Sequence, residues 1–242
     1  MVVAGGDPDS LRADHAPAAD ASLLSTSDLS QPARRLAAAA LDLFYRQGAL
    51  ATSVRDITNA CGLTPGALYN HFGSKNELLY VIVRDIHARL ELAVEAVRAA
   101  AAGPAGVADT REELAAIVRH YIGSHALNRR SVRVANREYL LLTGEWRAEV
   151  VAIRRRLREQ VAEVLWRGQQ DGVFALAGEG RPAATLTALA ILDMCVHISE
   201  WFEERRPLRT EELAEWYVAL ALRMAGAAGP PGRIGPAPPF GS

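Results

Sequence analysis

A chain of 242 residues, half of them hydrophobic and 23% charged, carries enough apolar side chain to bury one large or two small cores. Its net charge of -1 and isoelectric point of about 6.6 exclude a uniformly basic nucleic-acid binder, so any cationic surface has to be local. Residues 31–87 hold six Lys and Arg against four Asp and Glu, a net of +2, whereas residues 1–30 hold five Asp against one Arg, a net of -4.

Alanine, leucine, arginine and glutamate are abundant and β-branched runs are scarce, which predicts an all-α fold of about nine helices. Residues 1–29, rich in Asp, Ala, Ser and Pro, are expected to form a disordered leader without the basic start and apolar core of a signal peptide. No run of about twenty uninterrupted apolar residues suggests a membrane span. Cys61 and Cys195 fall in separate helical segments, which suits a reduced, cytoplasmic protein.

The first helix is expected from Gln31 to Gln47. Ser30 would cap it, Pro32 sits at its start, Leu36, Ala40, Leu43 and Phe44 form its buried stripe, and Gly48 ends it. Two short helices follow within 53–72. In the first, Val54, Ile57 and Cys61, with Ala60 beside them, mark the buried face, and Arg55, Asp56, Thr58 and Asn59 the solvent face. Gly62 supplies the left-handed C-cap and Leu63 the anchor behind it. Thr64 then caps a second helix with Pro65 at its first position, and Leu68 and Phe72 lie opposite Tyr69. Two helices joined by so short a glycine turn form a helix-turn-helix unit.

Gly66 and Ala67 leave the first turn of that second helix bare, so its backbone can approach another surface closely. Tyr69, Asn70 and His71 follow with groups suited to phosphates and base edges, and a helix N-terminus itself attracts phosphate. Gly73-Ser74-Lys75 adds another N-terminus and the only lysine in the chain.

The stretch A-C-G-L-T-P-G-A-L-Y-N-H-F-G-S-K-N-E-L-L, preceded by Thr52 and Ser53, resembles the DNA-binding domain of the TetR family of bacterial repressors. The resemblance implies that the helix from Thr64 to Phe72 enters the major groove while the preceding one crosses the backbone. It gives phosphate contacts to Thr52, Ser53, Tyr69, His71 and Lys75, close backbone approach to Thr64 and Gly66, and positions nearest the bases to Pro65, Ala67 and Asn70. Ala67 departs from the family's common threonine and Pro65 from a polar residue, which obscures the operator sequence.

Beyond the head of residues 30–80, a long helix from about Ser74 carries Leu78, Leu79, Ile82, Val83, Ile86, Leu90, Val94 and Val97, long enough to bridge into a second domain at 81–226. Further helices are expected at about 111–127, 131–143, 145–171, 182–205 and 210–226, followed by an unstructured tail over 227–242. The last two carry apolar stripes, Leu186, Leu189 and Met194 on one, Leu213, Trp216, Tyr217 and Leu220 on the other. They would pair across a two-fold axis and set two recognition helices about one DNA turn, ~34 Å, apart on a palindrome.

Arg137, Tyr139, Trp146, Arg147, Arg154, His197 and Trp201 mix aromatic surface with positive charge and are the candidate effector-binding residues. The pattern of this half is similar to ligand domains of TetR-type regulators of lipid, steroid or aromatic-acid catabolism, which implies an acyl-coenzyme A thioester as effector, with a hydrophobic drug-like inducer as the alternative. No phosphate-binding loop, nucleophile elbow or metal-spaced His/Cys cluster is present, so neither catalysis, cofactor nor metal is expected. The expectation is a homodimeric repressor released from DNA by a small effector, with an effector-free architectural DNA binder as the rival.

Overall fold

The computed structural model describes residues 29–101, 109–202 and 209–227, and among these every regular element is a helix. The head comprises α1 (Gln31–Gln47), α2 (Val54–Ala60) and α3 (Pro65–Tyr69). A long α4 (Lys75–Ala101) leads into α5 (Thr110–Leu127), α6 (Arg129–Glu138), a 3-10 turn over Tyr139–Leu141, α7 (Gly144–Gln170), α8 (Gly180–Val196), α9 (Ile198–Trp201) and α10 (Thr210–Met224).

The helices start and stop where the local chemistry dictates. Ser30 accepts from the backbone N-H of Ala33 to open α1, and Gly48 closes it with φ of 83°. At the end of α2, Gly62 takes φ of 66°, its N-H donates to Asn59 and the Leu63 N-H donates to Thr58. That pair of bonds is the Schellman arrangement, which only a left-handed residue allows. The expected helix over 131–143 tightens into the 3-10 turn after Glu138. The one expected over 182–205 breaks at His197, whose ring competes for the Asp193 carbonyl at 2.7 Å. Counting α8 and α9 as one broken helix gives the nine expected, among the described residues. The expected leader and tail lie outside the described residues apart from Leu29 and Ala227.

Two solvent and core assignments are corrected. Thr58, expected in solvent, is fully buried, because its hydroxyl donates to the Val54 and Arg55 carbonyls and leaves only its methyl to pack. Ala60, expected beside the buried face, is exposed.

Apolar side chains gather in two clusters. One packs Leu36, Phe44, Ile57, Leu68, Phe72, Leu78 and Ile82 and extends to Val134, Ala135, Leu142 and Val150, so the head is seated directly on α6 and α7. The other fills the bundle of α5, α7, α8 and α10. Within it Glu113 is almost fully buried, yet it receives both Arg98, at 2.7 Å, and Arg167, which supplies the charge pairing that a buried carboxylate requires.

Segment 180–201 is apolar, with mean hydropathy of 1.4 over its most apolar window, but only 39% of that window is buried in the protomer. Leu186 is 68% exposed, and Leu189, Leu220 and Met224 are also exposed. Leu213, expected on the same surface, is a correction: it points inward at 3% exposure, because α10 turns that side of its stripe onto the bundle core.

Candidate DNA-binding face and effector cavity

The start of α3 is bare in the way its residues require. Thr64, Pro65, Gly66, Tyr69, Asn70 and His71 are exposed, Ala67 is half-buried, and Leu68 and Phe72 hold the helix down from the opposite side. A methyl added at Gly66 would meet nothing within 4 Å, and its φ is not positive. The fold therefore has no need of glycine there, and the turn is open to close approach from outside. Thr64 occupies the N-cap position, but its side chain makes no capping bond and remains available.

Thr52 and Lys75 are placed differently from the phosphate-contact assignment. Thr52 is 1% exposed; its hydroxyl donates to the Gly48 carbonyl at 2.8 Å and accepts from Gln47 at 3.2 Å. Lys75 aims its ammonium at the carbonyls of Ala49 and Thr52, both at 2.6 Å. These two side chains lock the turn between α1 and α2, and one ammonium proton of Lys75 is left over.

Ser53 is exposed but engaged with Asp56 in a capping box: its hydroxyl accepts from the Asp56 N-H, and the Asp56 carboxylate accepts from the Ser53 N-H at 2.8 Å. The Ser53 backbone bond, then its hydroxyl, holds the Asp56 carboxyl below the usual range. The N-terminus of α4 is also occupied, since Ser74 caps Glu77 and the Glu77 carboxylate takes the Gly73 N-H at 2.7 Å. Of the two helix N-termini, the one at α3 is the open one.

In the bundle, α4, α5, α6, α7 and α8 line a half-open cavity of about 120 Å³. Of the seven expected effector residues, only Arg154 lines it. Its guanidinium donates to Asn136 at 2.7 Å and to the His87 ring at 2.9 Å and lies over the Tyr139 ring at 4.5 Å. Burial, then the Arg154 charge, holds His87 down to about 4, and its other ring nitrogen lies 2.9 Å from the Val83 carbonyl. His87 is therefore neutral, its Nδ1-H donating to Val83 while Nε2 accepts from Arg154.

The remaining expected effector residues do other work. Arg137 pairs with Glu200 at 2.5 Å and lines a polar groove between α1 and α6. Trp146 stacks on Tyr80 at 5.3 Å; Arg147 and His197 are exposed; and Trp201 packs edge-on to Phe202. Sequence reasoning missed His87, His125, Asn136 and Arg158. A four-residue spacing of Arg154 and Arg158 beside Ile153 and Leu157 is the signal that marks the last of these.

A three-helix head with an open recognition turn, seated on a bundle with its own cavity, defines a helix-turn-helix DNA-binding regulator. Residues 36–81 match the model of bacterial regulatory proteins of the tetR family, and residues 107–225 match that of the tetracyclin repressor-like C-terminal domain. A regulatory protein of the tetR family from Rhodococcus RHA1 is 32% identical, with 83% of this chain and all of that one covered and a TM-score of 0.72. PfmR from Thermus thermophilus is also 32% identical, over 78% of this chain and 97% of its own, at a TM-score of 0.65. AibR, crystallised with isovaleryl coenzyme A and operator DNA, is 25% identical over 82% of this chain and 100% of its own, at a TM-score of 0.67. Among curated proteins, the repressor KstR2 of Mycolicibacterium smegmatis is 42% identical over 59 residues, 23% of this chain, and the regulator BetI of Rhizobium meliloti 34% over 91, 37% of it. Those two matches span only 29% and 42% of the relatives' own lengths. The chain belongs to the TetR family of bacterial transcriptional regulators.

Proposed function

We propose that this regulator is a cytoplasmic repressor that grips a palindromic operator as a homodimer and releases it when a small effector enters the bundle cavity. The observation that carries the reading is the open turn at Gly66 on a head that shares its core with α6, a helix that also walls the cavity.

The partly exposed apolar surface of α8, with Leu220 and Met224 of α10, is the face for the second copy. A two-fold contact there would hold both heads at palindrome spacing. In α6, Val132, Ala135 and Asn136 face the cavity. Arg130 pairs with Asp42 of α1 at 3.6 Å, and the Glu138 carboxylate accepts from the Ala49 N-H at 3.4 Å. An effector that draws Arg154 from Asn136 would therefore tilt α6 against α1. If it binds the tilted form more tightly, DNA release follows by linkage. The AibR complex with an acyl-coenzyme A and operator supports a ligand-gated reading.

Sedimentation and a gel shift on the DNA upstream of the gene test the proposal. A dimer that retards an inverted-repeat fragment, and a Leu186→Glu variant that is folded, monomeric and unable to retard it, are expected. A monomeric wild type that ignores its own upstream DNA at modest salt would end the reading.

A further inference from the structure

Resting on the reading of the bundle as an effector domain, we infer that the cavity is built for a compact organic carboxylate, held by its charge, and not for a coenzyme A thioester. Helix α7 sorts its arginines into two sets. Arg155 and Arg156 face outward and are paired, with Glu159 at 3.4 Å and Glu91 at 2.5 Å. Arg154 and Arg158, one turn apart, face inward to the cavity, and neither ion-pairs with a carboxylate among the described residues. Asn136 and neutral His87 orient Arg154 without cancelling its charge. Among the described residues Asp193 is the one acid that lines the cavity, and it is exposed on α8.

A second observation points to a ligand that is missing from the protein's own bonding. His125 is 1% exposed and lines the cavity. Its ring leans toward the Tyr121 carbonyl, yet neither nitrogen reaches a full hydrogen bond. The buried Nε of Arg158 also has no acceptor. Such groups are costly to leave unmade, and a carboxylate offers up to four acceptor sites to the two guanidinium groups and an imidazole N-H.

Most of the rest of the lining, with Ile86, Leu90, Val132, Leu157, Leu192 and Val196, is aliphatic, the Tyr121 ring lies among these side chains, and together they suit a small hydrocarbon body. Its volume of about 120 Å³ is near that of a cavity known to take benzene, so the body has about six to ten heavy atoms. A thioester carbonyl is neutral, and its phosphates would lie outside such a space. Its acyl end would leave two inward arginines without a counter-ion.

The full-length protein is tested with benzoate, hexanoate and octanoate, with benzamide and hexanamide, and with benzoyl- and hexanoyl-coenzyme A, reading melting temperature, calorimetric affinity and operator release. At least one carboxylate should raise the melting temperature and release DNA, and its amide should bind at least tenfold more weakly. Arg158→Gln should leave the ligand-free melting temperature within a degree or two while weakening the carboxylate by about tenfold or more. Arg154→Lys should do the same less severely, and the amide comparison stands even if that variant does not fold. Thioesters or amides that match the carboxylates would overturn the inference and leave the effector reading intact. No response to any carboxylate at millimolar concentration would overturn it too, and operator binding in the same samples shows whether the regulator itself is sound.

Discussion

Replacing Gly66 by alanine separates what the fold needs from what DNA needs. Gly66 has an ordinary negative φ, and the added methyl would meet no atom of the protein within 4 Å. Glycine in a helix costs roughly 0.5–1 kcal/mol relative to alanine, and less in the first turn, so the variant should be as stable as the wild type or slightly more so. The melting temperature should rise by about 1–3 °C. Against DNA the sign reverses. One methyl forced into a close-packed contact costs roughly 1–3 kcal/mol, and the proposed dimer would insert two, so affinity should fall about thirtyfold at the low end. Anisotropy of a labelled operator duplex at fixed salt, beside thermal melting of the free protein, reads both effects. Unchanged affinity would show that no surface approaches this turn closely. A lowered melting temperature would show that the glycine serves the fold, and either result refutes the reasoning.

Lys75→Ala removes two bonds to the Ala49 and Thr52 carbonyls and should destabilise the chain by roughly 1–2 kcal/mol after allowance for its half-exposed position, as read by urea denaturation. DNA binding should weaken alike on specific and random duplexes, since the loss acts through the α1–α2 turn that seats the recognition unit and not through a base. Glu113→Ala leaves Arg98 and Arg167 without their buried counter-ion and should cost about 3–5 kcal/mol, measured the same way. His87 and His125 are both held down to about 4 by burial, whereas the unfolded chain takes up these protons near the ordinary value of 6.5. The contribution of these two histidines to stability should therefore fall as pH drops from 6.5 to 4, below which any further loss belongs to carboxylates such as Asp56. A flatter slope in His125→Gln than in the wild type, from denaturation at each pH, is the check.

The head was legible because its instructions are local. Ser30, Gly48 and Gly62 each act on backbone within four residues, and each takes the cap the sequence implies. The misplaced residues depend on partners far along the chain or on bonds a polarity pattern does not encode. Thr58 buries like valine once its hydroxyl is spent on its own helix. Lys75 reads as a phosphate ligand until carbonyls 26 and 23 positions away are brought to its ammonium. Leu213 shares a stripe with Leu220, but helical spacing alone cannot tell which side of a stripe meets its own bundle and which a second copy.

The cavity was the least legible feature, because five helices contribute to it and none carries a pattern peculiar to it. Aromatic and cationic character points to Arg137, which pairs with Glu200, to Trp146, which stacks on Tyr80, and to Arg147, which is exposed. The more telling property is a polar group whose partner is absent. His125 looks unexceptional in the sequence, and it becomes informative only when burial and an incomplete hydrogen-bond inventory coincide. On the proposed reading, in which an effector is felt by α6 and the head, such unmet groups are where a ligand would add bonds. The proposed release of DNA would then depend on how much more such bonding one conformation gains than the other.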